Sequence, residues 1–313
     1  MFKVDRRCEE GLGESDVYPF FCSRAMFVEL KRINMDIEKE LQKMRRNAIR
    51  LQIKNDADHS IGGTRFGGVP DTPKDFSWPT FETNTFFDNE VKSRPLTFLA
   101  QFNCAEIMPF DREGLLPKEG VLSFFYEMGS QRAGYDPKDS GCARVFWFEN
   151  VEDLSPAEFP DALEEYYRFP MFHILAKSED SLPGFEDFSL GRDGVEPMWD
   201  EVNFEEEQTD KNFSKLLGWP DVIQNCMTVE CELVSRGYYL GNGWDRIPRQ
   251  DIQSAEQNSL NDWRLLLQLD TVVSNNGDFE LTFGIYGRIY FYIRKEDLEA
   301  CRFDRVWLIL QDS

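Results

Sequence analysis

The chain reads as an α+β protein, β-rich, built from two pseudo-repeated sheet-forming halves with an amphipathic N-terminal helix and short peripheral helices. Three observations predict this. Short apolar runs alternate with Pro and Gly turn signals. Aromatic residues are abundant, with 27 Phe among 313 residues, a bias that suits pleated, half-buried strands. Finally, one skeleton occurs twice. Leu96 to Asn103 (LTFLAQFN) and Trp263 to Asp270 (WRLLLQLD) are both apolar runs broken by a single Gln, with Asn or Asp two residues later. Gly120 follows Gln101 by 19 residues, as Gly287 follows Gln268, and each Gly opens another apolar run, Val121 to Phe125 and Arg288 to Tyr292. One offset of 167 aligns all three features, which points to two related halves rather than a short-period solenoid. Gly68-Val69-Pro70-Asp71 and Gly218-Trp219-Pro220-Asp221 add a looser echo. Both have turn chemistry: Gly tolerates positive φ, Pro fixes φ, and Asp bonds nearby backbone.

The halves are placed at about 59–178 and 211–313, joined by an acidic connector over 179–210 that contains Glu205-Glu206-Glu207. Together they form one domain, 59–313, preceded by 1–58. In that first segment, residues 1–22 are a leader. Met26, Leu30, Ile33, Ile37, Leu41 and Met44 recur every three or four residues, so a helix is expected from Arg24 to Arg46. Ile49 to Ile53 reads as a short strand. Beyond the first repeat, Ala143 to Phe148 reads as strand, Asp161 to Arg168 as helix and Phe169 to Leu175 as strand. Thr209 to Leu217 reads as a helix stopped by Gly218 and Pro220. Met227 to Val234 reads as strand, Ile252 to Gln257 as a helical turn or more, Glu296 to Ala300 as a helix and Phe303 to Gln311 as a closing strand. Trp78-Pro79 is expected to pack as a lid on the sheet edge.

A formal net charge of −22 argues against nucleic acid, whose affinity rests on Lys and Arg meeting phosphate, and against an electrostatic membrane-surface partner. It is compatible with a basic protein partner. Seven scattered Cys with no C-x-x-C spacing suit reduced thiols in a cytoplasmic protein. No apolar run is long enough for a transmembrane helix, and the charged first residues do not make a secretory signal.

Chemistry-bearing motifs are sparse. The glycine pairs at Gly62-Gly63 and Gly67-Gly68 lack the Gly-Lys-Ser/Thr of a phosphate loop, and the acidic connector lacks the calcium-loop pattern. There are two His, His59 in a polar loop and His173 in an apolar strand, with no ligand spacing between them. No cofactor, metal or catalytic residue is therefore assigned. The in-strand glutamines are more telling, because a buried amide without partners costs about 1–3 kcal/mol. Either each Gln ties a neighbouring loop to the sheet, or Gln101 and Gln268 line a common cleft with Asn103, Asp270 and Arg65. Those five are the candidate binding residues.

Several pieces resemble the YwqG-like family. They are Thr64 to Pro70 with Trp78-Pro79, Arg94 to Asn103, Leu116-Pro117 with Gly120 to Phe125, Leu217 to Asp221 with Gln224, Leu265 to Asp270, and Gly287 to Ile293. They span roughly 60–311. One departure stands out: where the family commonly reads Trp-Gly-Asp-Ala, this chain has Phe283-Gly284-Ile285-Tyr286, so an acid is missing at Ile285 or displaced to Asp278. The resemblance implies a β-rich α+β fold of two related halves and supplies no substrate, cofactor or catalytic residue. The functional expectation is a cytoplasmic, non-enzymatic binding or protein-interaction protein. The alternative is an enzyme or small-ligand receptor with a cleft between the halves near Gln101 and Gln268.

Overall fold

A computed structural model of the chain describes residues 37–54, 60–192, 195, 199, 213–274 and 278–313. The leader, most of the expected N-terminal helix, His59 and half of the acidic connector lie outside the described residues. Helix α1 is seen over residues 37–43. Its Ile37 and Leu41, four apart and so on one face, are buried with Phe188 and Val195. It does not reach Arg46, which opens a strand.

Ten strands form one antiparallel sheet. Its centre is β1 (Arg46–Lys54), paired along its whole length with β10 (Phe172–Ser181), from Arg46 opposite Ser181 to Lys54 opposite His173. Beyond β10 come β2 (Arg65–Phe66), β6 (Thr97–Asn103), β7 (Val121–Tyr126) and β8 (Ala143–Phe148). Beyond β1 come β11 (Lys215–Leu217), β12 (Trp263–Leu269), β15 (Arg288–Arg294) and β16 (Trp307–Gln311). The remaining strands make separate pairs: β3 (Asp71–Pro73) with β9 (Leu154–Pro156), β4 (Thr80–Thr83) with β5 (Lys92–Pro95), and β13 (Val272–Val273) with β14 (Glu280–Leu281). Among the described residues, the helices after α1 are α2 (Cys104–Ile107), α3 (Phe185–Phe188), α4 (Met227–Ser235), α5 (Arg249–Asp262) and α6 (Lys295–Glu299).

The sheet is nearly closed. Phe124 of β7 meets Phe291 of β15 edge to face, with ring centroids 5.2 Å apart. Trp147 of β8 meets Phe303, just ahead of β16. The loop after β7 crosses the gap: the Leu310 N–H donates to the Ala133 carbonyl at 3.0 Å, and Trp307 Nε1 donates to the Gly134 carbonyl at 2.9 Å. The main core fills the inner face, with residues such as Ile49, Phe66, Phe102, Phe124, Leu267 and Phe291. Two smaller clusters cover the outer face. One gathers Leu96, Phe98 and Phe125 beneath Phe76 and Trp78. The other gathers Leu265, Tyr290, Tyr292 and Ile309 beneath Met227 and Cys231 of α4.

Several expectations are corrected. Met227 to Val234 is helical, not a strand. Met, Val, Cys and Leu alternate with polar residues there, but the helix is buried on two sides: Met227 and Cys231 face the sheet, while Val229 and Leu233 face α5 through Ala255. Two apolar faces on one helix imitate a period of two. Lys215 to Leu217 is strand β11 rather than the end of a helix, and residues 209–212 lie outside the described residues. Strand β10 runs on to Ser181 through the polar residues Lys177 to Asp180, and α3 follows, so the stretch assigned to the connector begins as regular structure. Between Asp161 and Arg168 there is a single 3₁₀ turn, Glu165–Tyr167. The helical turn or more expected over Ile252 to Gln257 lies within helix α5, Arg249–Asp262. Trp78 packs on the outer face of the sheet, over Phe125, rather than at its edge. Strands β6, β7, β8, β12 and β15 lie where apolar patterning places them, while the closing strand expected from Phe303 begins at Trp307, after a 3₁₀ turn at Phe303–Arg305.

Phe124 is fully buried between Phe102 and Phe291. Phe124→Ala should therefore lower unfolding stability by about 3–5 kcal/mol in chemical denaturation. A loss under about 1 kcal/mol would show that the two flanks of the sheet do not share one core.

Candidate functional site

Gln101 sits in β6 just after a bulge between Phe98 and Ala100. The extra residue puts both Leu99 and Ala100 into the inner core, and by alternation it aims Gln101 at the outer face. There the amide is fully buried and fully used. Its Nε2 donates to the Gly63 carbonyl and to Asp71 Oδ2, both at 2.9 Å, and its Oε1 accepts the Asp71 N–H at 3.0 Å. Arg65, opposite Gln101 in the ladder, donates through Nη1 to Asp71 Oδ2 at 2.8 Å and through Nη2 to the Val69 carbonyl. Arg65 is 3% exposed, and Asp71 and Gln101 are 0% exposed. Asn103 completes the group. Its side chain donates to the Gly62 carbonyl and accepts the Ala105 N–H, capping α2, while its own N–H donates to Thr64 Oγ1.

Matching contacts occur around Gln268. A bulge between Leu265 and Leu267 precedes it. Its Nε2 donates to the Phe213 carbonyl and to Asp221 Oδ2 (2.7 Å), and its Oε1 accepts the Asp221 N–H at 2.8 Å. Lys215, its ladder neighbour, pairs with Asp221 Oδ2 at 2.6 Å. The Asp270 N–H donates to Ser214 Oγ, its Oδ2 accepts the Phe213 N–H, and its Oδ1 faces Arg288 Nε at 3.3 Å. The second cluster is the more open of the two: the Asp221 side chain is 30% exposed.

Backbone geometry explains both turns. Gly67 and Gly68 have φ of +62° and +71°, and Leu217 and Gly218 have +58° and +76°. These consecutive left-handed residues fold the chain so that the Asp three residues later returns to the Gln. A Cβ on Gly68 would lie 3.0 Å from Met171 Cβ, and one on Gly218 would lie 2.6 Å from Ala48 Cβ, so both positions also need the space.

The five residues predicted from sequence therefore fall into two groups. Arg65, Gln101 and Asn103 are together, Gln268 and Asp270 are together, and β2, β10, β1 and β11 lie between the two glutamines in the sheet. Sequence reasoning missed Asp71 and Asp221 as the partners of the glutamines. The signal was present, because they are the acids of the two Gly-x-Pro-Asp turns. A third buried amide, Gln311 of β16, plays a similar part, accepting the Ile223 and Gln224 N–H groups and donating to the Asn225 carbonyl. At the departure from the YwqG-like pattern, the Ile285 N–H donates to Asp312.

Electrostatics favours ionised pairs. Burial works to raise the Asp71 carboxyl, but the Arg65 guanidinium, the Gly62 N–H and the Gln101 amide outweigh it and hold it below its usual value. Burial likewise opposes ionisation of Asp221, and Lys215 and Gln268 overcome it. Elsewhere burial wins. Glu230 of α4 is 3% exposed, and burial pushes its carboxyl up to about 8. Burial also raises Asp187, which accepts from Cys226 Sγ, to about 6. Among the described residues, no group of His, Cys, Asp and Glu is arranged to hold a metal ion. Cys104, Cys142, Cys226, Cys231 and Cys301 are free thiols. No described helix is long and apolar enough to cross a membrane.

A β-rich α+β protein with a nearly closed antiparallel sheet and buried Gln–Asp ties is thus the class that fold and site define. A domain of unknown function, DUF1963, matches residues 64–311, a span that contains both ties and most of the sheet. The chain belongs to that family. No curated protein matches it.

Two measurements check this electrostatic account. Asp71→Leu should cost about 3–5 kcal/mol by stranding Arg65 in the interior, and adding Arg65→Met should restore part of the loss; a double variant as unstable as the sum of the two singles would contradict the pairing. The second concerns Glu230. Its folded value lies above its ordinary 4.5, so its contribution is fully present below that pH and is lost as pH rises towards about 8. Thermal melts of Glu230→Gln should lack that decline, and an unchanged pH profile would count against it.

Proposed function

We propose that this chain is a cytoplasmic, non-enzymatic binding protein of the YwqG-like kind that captures a basic protein partner through its acidic surface. The observation that carries the reading is how the candidate residues are used. Arg65, Gln101 and Gln268 are buried, and they spend their polar atoms on adjoining turns. They hold loops in place, which leaves recognition to the surface, and a formal charge of −22 makes that surface a steering field for cations.

The same proposal includes two pseudo-repeated halves of common origin. It is supported by the shared bulge before each Gln, the cation–Asp–Gln contacts, and the left-handed residue pair before each Pro-Asp. The strand order also supports it, since four strands extend from each side of the central β1–β10 pair. The positions that match are those that build the ties.

The test is a pull-down of the tagged chain from its own cell lysate, washed at rising salt. One stoichiometric basic protein should be retained at low salt and fall about tenfold by roughly 0.5 M salt, where the screening length shrinks to about 4 Å. An empty pull-down, or one indifferent to salt, overturns the reading.

A further inference from the structure

The six most exposed large apolar side chains among the described residues are Phe86, Phe87, Val91, Tyr166, Ile285 and Tyr286, each between 64% and 94% open to solvent. They come from three separate stretches of chain, and the loop leaving β7 touches all three stretches. The Phe86 N–H donates to the Gly129 carbonyl at 3.4 Å. Gly129 also lies against Thr85 and Tyr167: a Cβ on it would stand 2.7 Å from Thr85 Cγ2 and 3.4 Å from the Tyr167 hydroxyl. The Tyr167 ring meets that of Tyr166 edge-on, with centroids 5.3 Å apart. Two residues on, Gln131 Oε1 accepts the Gly284 N–H at 2.8 Å, and Ile285 and Tyr286 follow directly. Exposed apolar side chains scattered singly are ordinary, but a group gathered around one loop marks an interaction surface.

The backbone beneath this surface is already fixed. The Thr85 N–H donates to the Asp88 carbonyl at 2.8 Å, and Thr85 Oγ1 accepts the Phe87 and Asp88 N–H groups, so the two phenylalanines ride on a closed turn. Tyr286 has φ of +54°, in the left-handed region that is uncommon for an aromatic residue. Beside it, the Ile285 N–H donates to Asp312 Oδ2, and the Ile285 carbonyl accepts from the N–H and Oγ of Ser313. A partner that docks here has little backbone ordering to offset.

Area and charge identify that partner. With about 150–250 Å² for a whole aromatic side chain, the six offer roughly 800 Å² together, the share that each partner brings to a standard-size interface. The chain as a whole carries −22, yet on the β4–β5 connection Asp88 pairs with Lys92 and Arg94, and Glu90 pairs with Lys92. Residues 283–287 carry no charge. The remaining acids are Glu164 and Glu165, just before Tyr166, and Asp312, which is engaged with the Ile285 N–H. A face that is apolar and largely charge-balanced is matched by another like itself, and a two-fold axis sets one patch against its own copy.

We infer that two copies of this chain dimerise through the face that Phe86, Phe87, Tyr166 and Tyr286 form around the loop after β7. This goes beyond capture of a basic protein, which draws on the acidic remainder of the surface.

The test is sedimentation equilibrium of the full chain from about 1 to 100 µM, a range whose top lies above the weakest Kd that such an area gives. The mass should rise from that of one chain, 36.6 kDa, towards twice that. Raising salt from about 0.15 to 0.5 M should strengthen the dimer, because it screens repulsion between two acidic chains; capture of a basic partner responds to salt with the opposite sign. Phe87→Asp/Tyr286→Asp alters two of the most exposed side chains and should raise the dimer Kd about tenfold or more, the scale of losing an interface anchor. Met108→Glu, at an exposed site beyond the other end of β6, should leave the Kd unchanged. Melting curves confirm that each variant is folded; if the double variant is not, Phe87→Ser decides. The inference is overturned if the chain stays at the mass of one copy throughout, if the double variant associates like the unaltered chain, if Met108→Glu weakens the dimer equally, or if salt dissociates it. A monomeric chain whose double variant loses the basic protein in the pull-down also overturns it, giving the face to a different occupant.

Discussion

The buried tie between Gln101 and Asp71 is the constraint on which the first half of the structure depends. A strand that buries an amide must supply it with partners, and here both partners come from one turn. The amide closes a small ring with the Asp71 backbone and side chain, and Arg65 neutralises the carboxylate from the adjoining strand. The turn is thereby fixed against the sheet, and β3, β9, Phe76 and Trp78 take their places from it. Gln268 and Asp221 do the same for the second half, with Lys215 as the cation. These ion pairs specify arrangement more than they add stability, since buried charges bring a desolvation cost nearly as large as their attraction.

The bulges give the ties their direction. Were each strand to run unbulged from Phe98 or Leu265, strict alternation would turn the amide inward. With the bulges, the inner face stays apolar and the polar groups gather outside, beneath turns that can satisfy them. One local irregularity in each of two strands thus separates a dry interior from a wired exterior.

Much of this was legible in the sequence. Strands flanking the repeated glutamines announce themselves because they are apolar on both faces and bounded by glycine. The use of each Gln as a loop tie was one of the two readings the residues allowed. The rest was hidden for definite reasons. β11 has only three residues and takes its conformation from β1 and β12 on either side. The far half of β10 is polar because its outer face meets solvent, so no apolar pattern marks it. Helix α4 alternates like a strand because it is packed from two directions. The acids of the turns looked like ordinary turn formers, since nothing local shows that a carboxylate will meet an amide some thirty or more residues further on.

The seam at the middle of the sheet sets the order in which the molecule can be completed. β1 stands at the centre, yet Arg46 finds its partner at Ser181 and Arg50 finds another at Lys215. In a chain made from its N-terminus at about 5–20 residues per second, the first of those partners emerges roughly 7–27 seconds after β1 itself. During that interval the strand destined to be most enclosed has both edges open. The first flank, β2 with β6 to β8, can pair locally meanwhile, but it has nothing to attach to until β10 arrives. The protein is therefore assembled from its flank inward, and its central strand is a guest that waits for the walls.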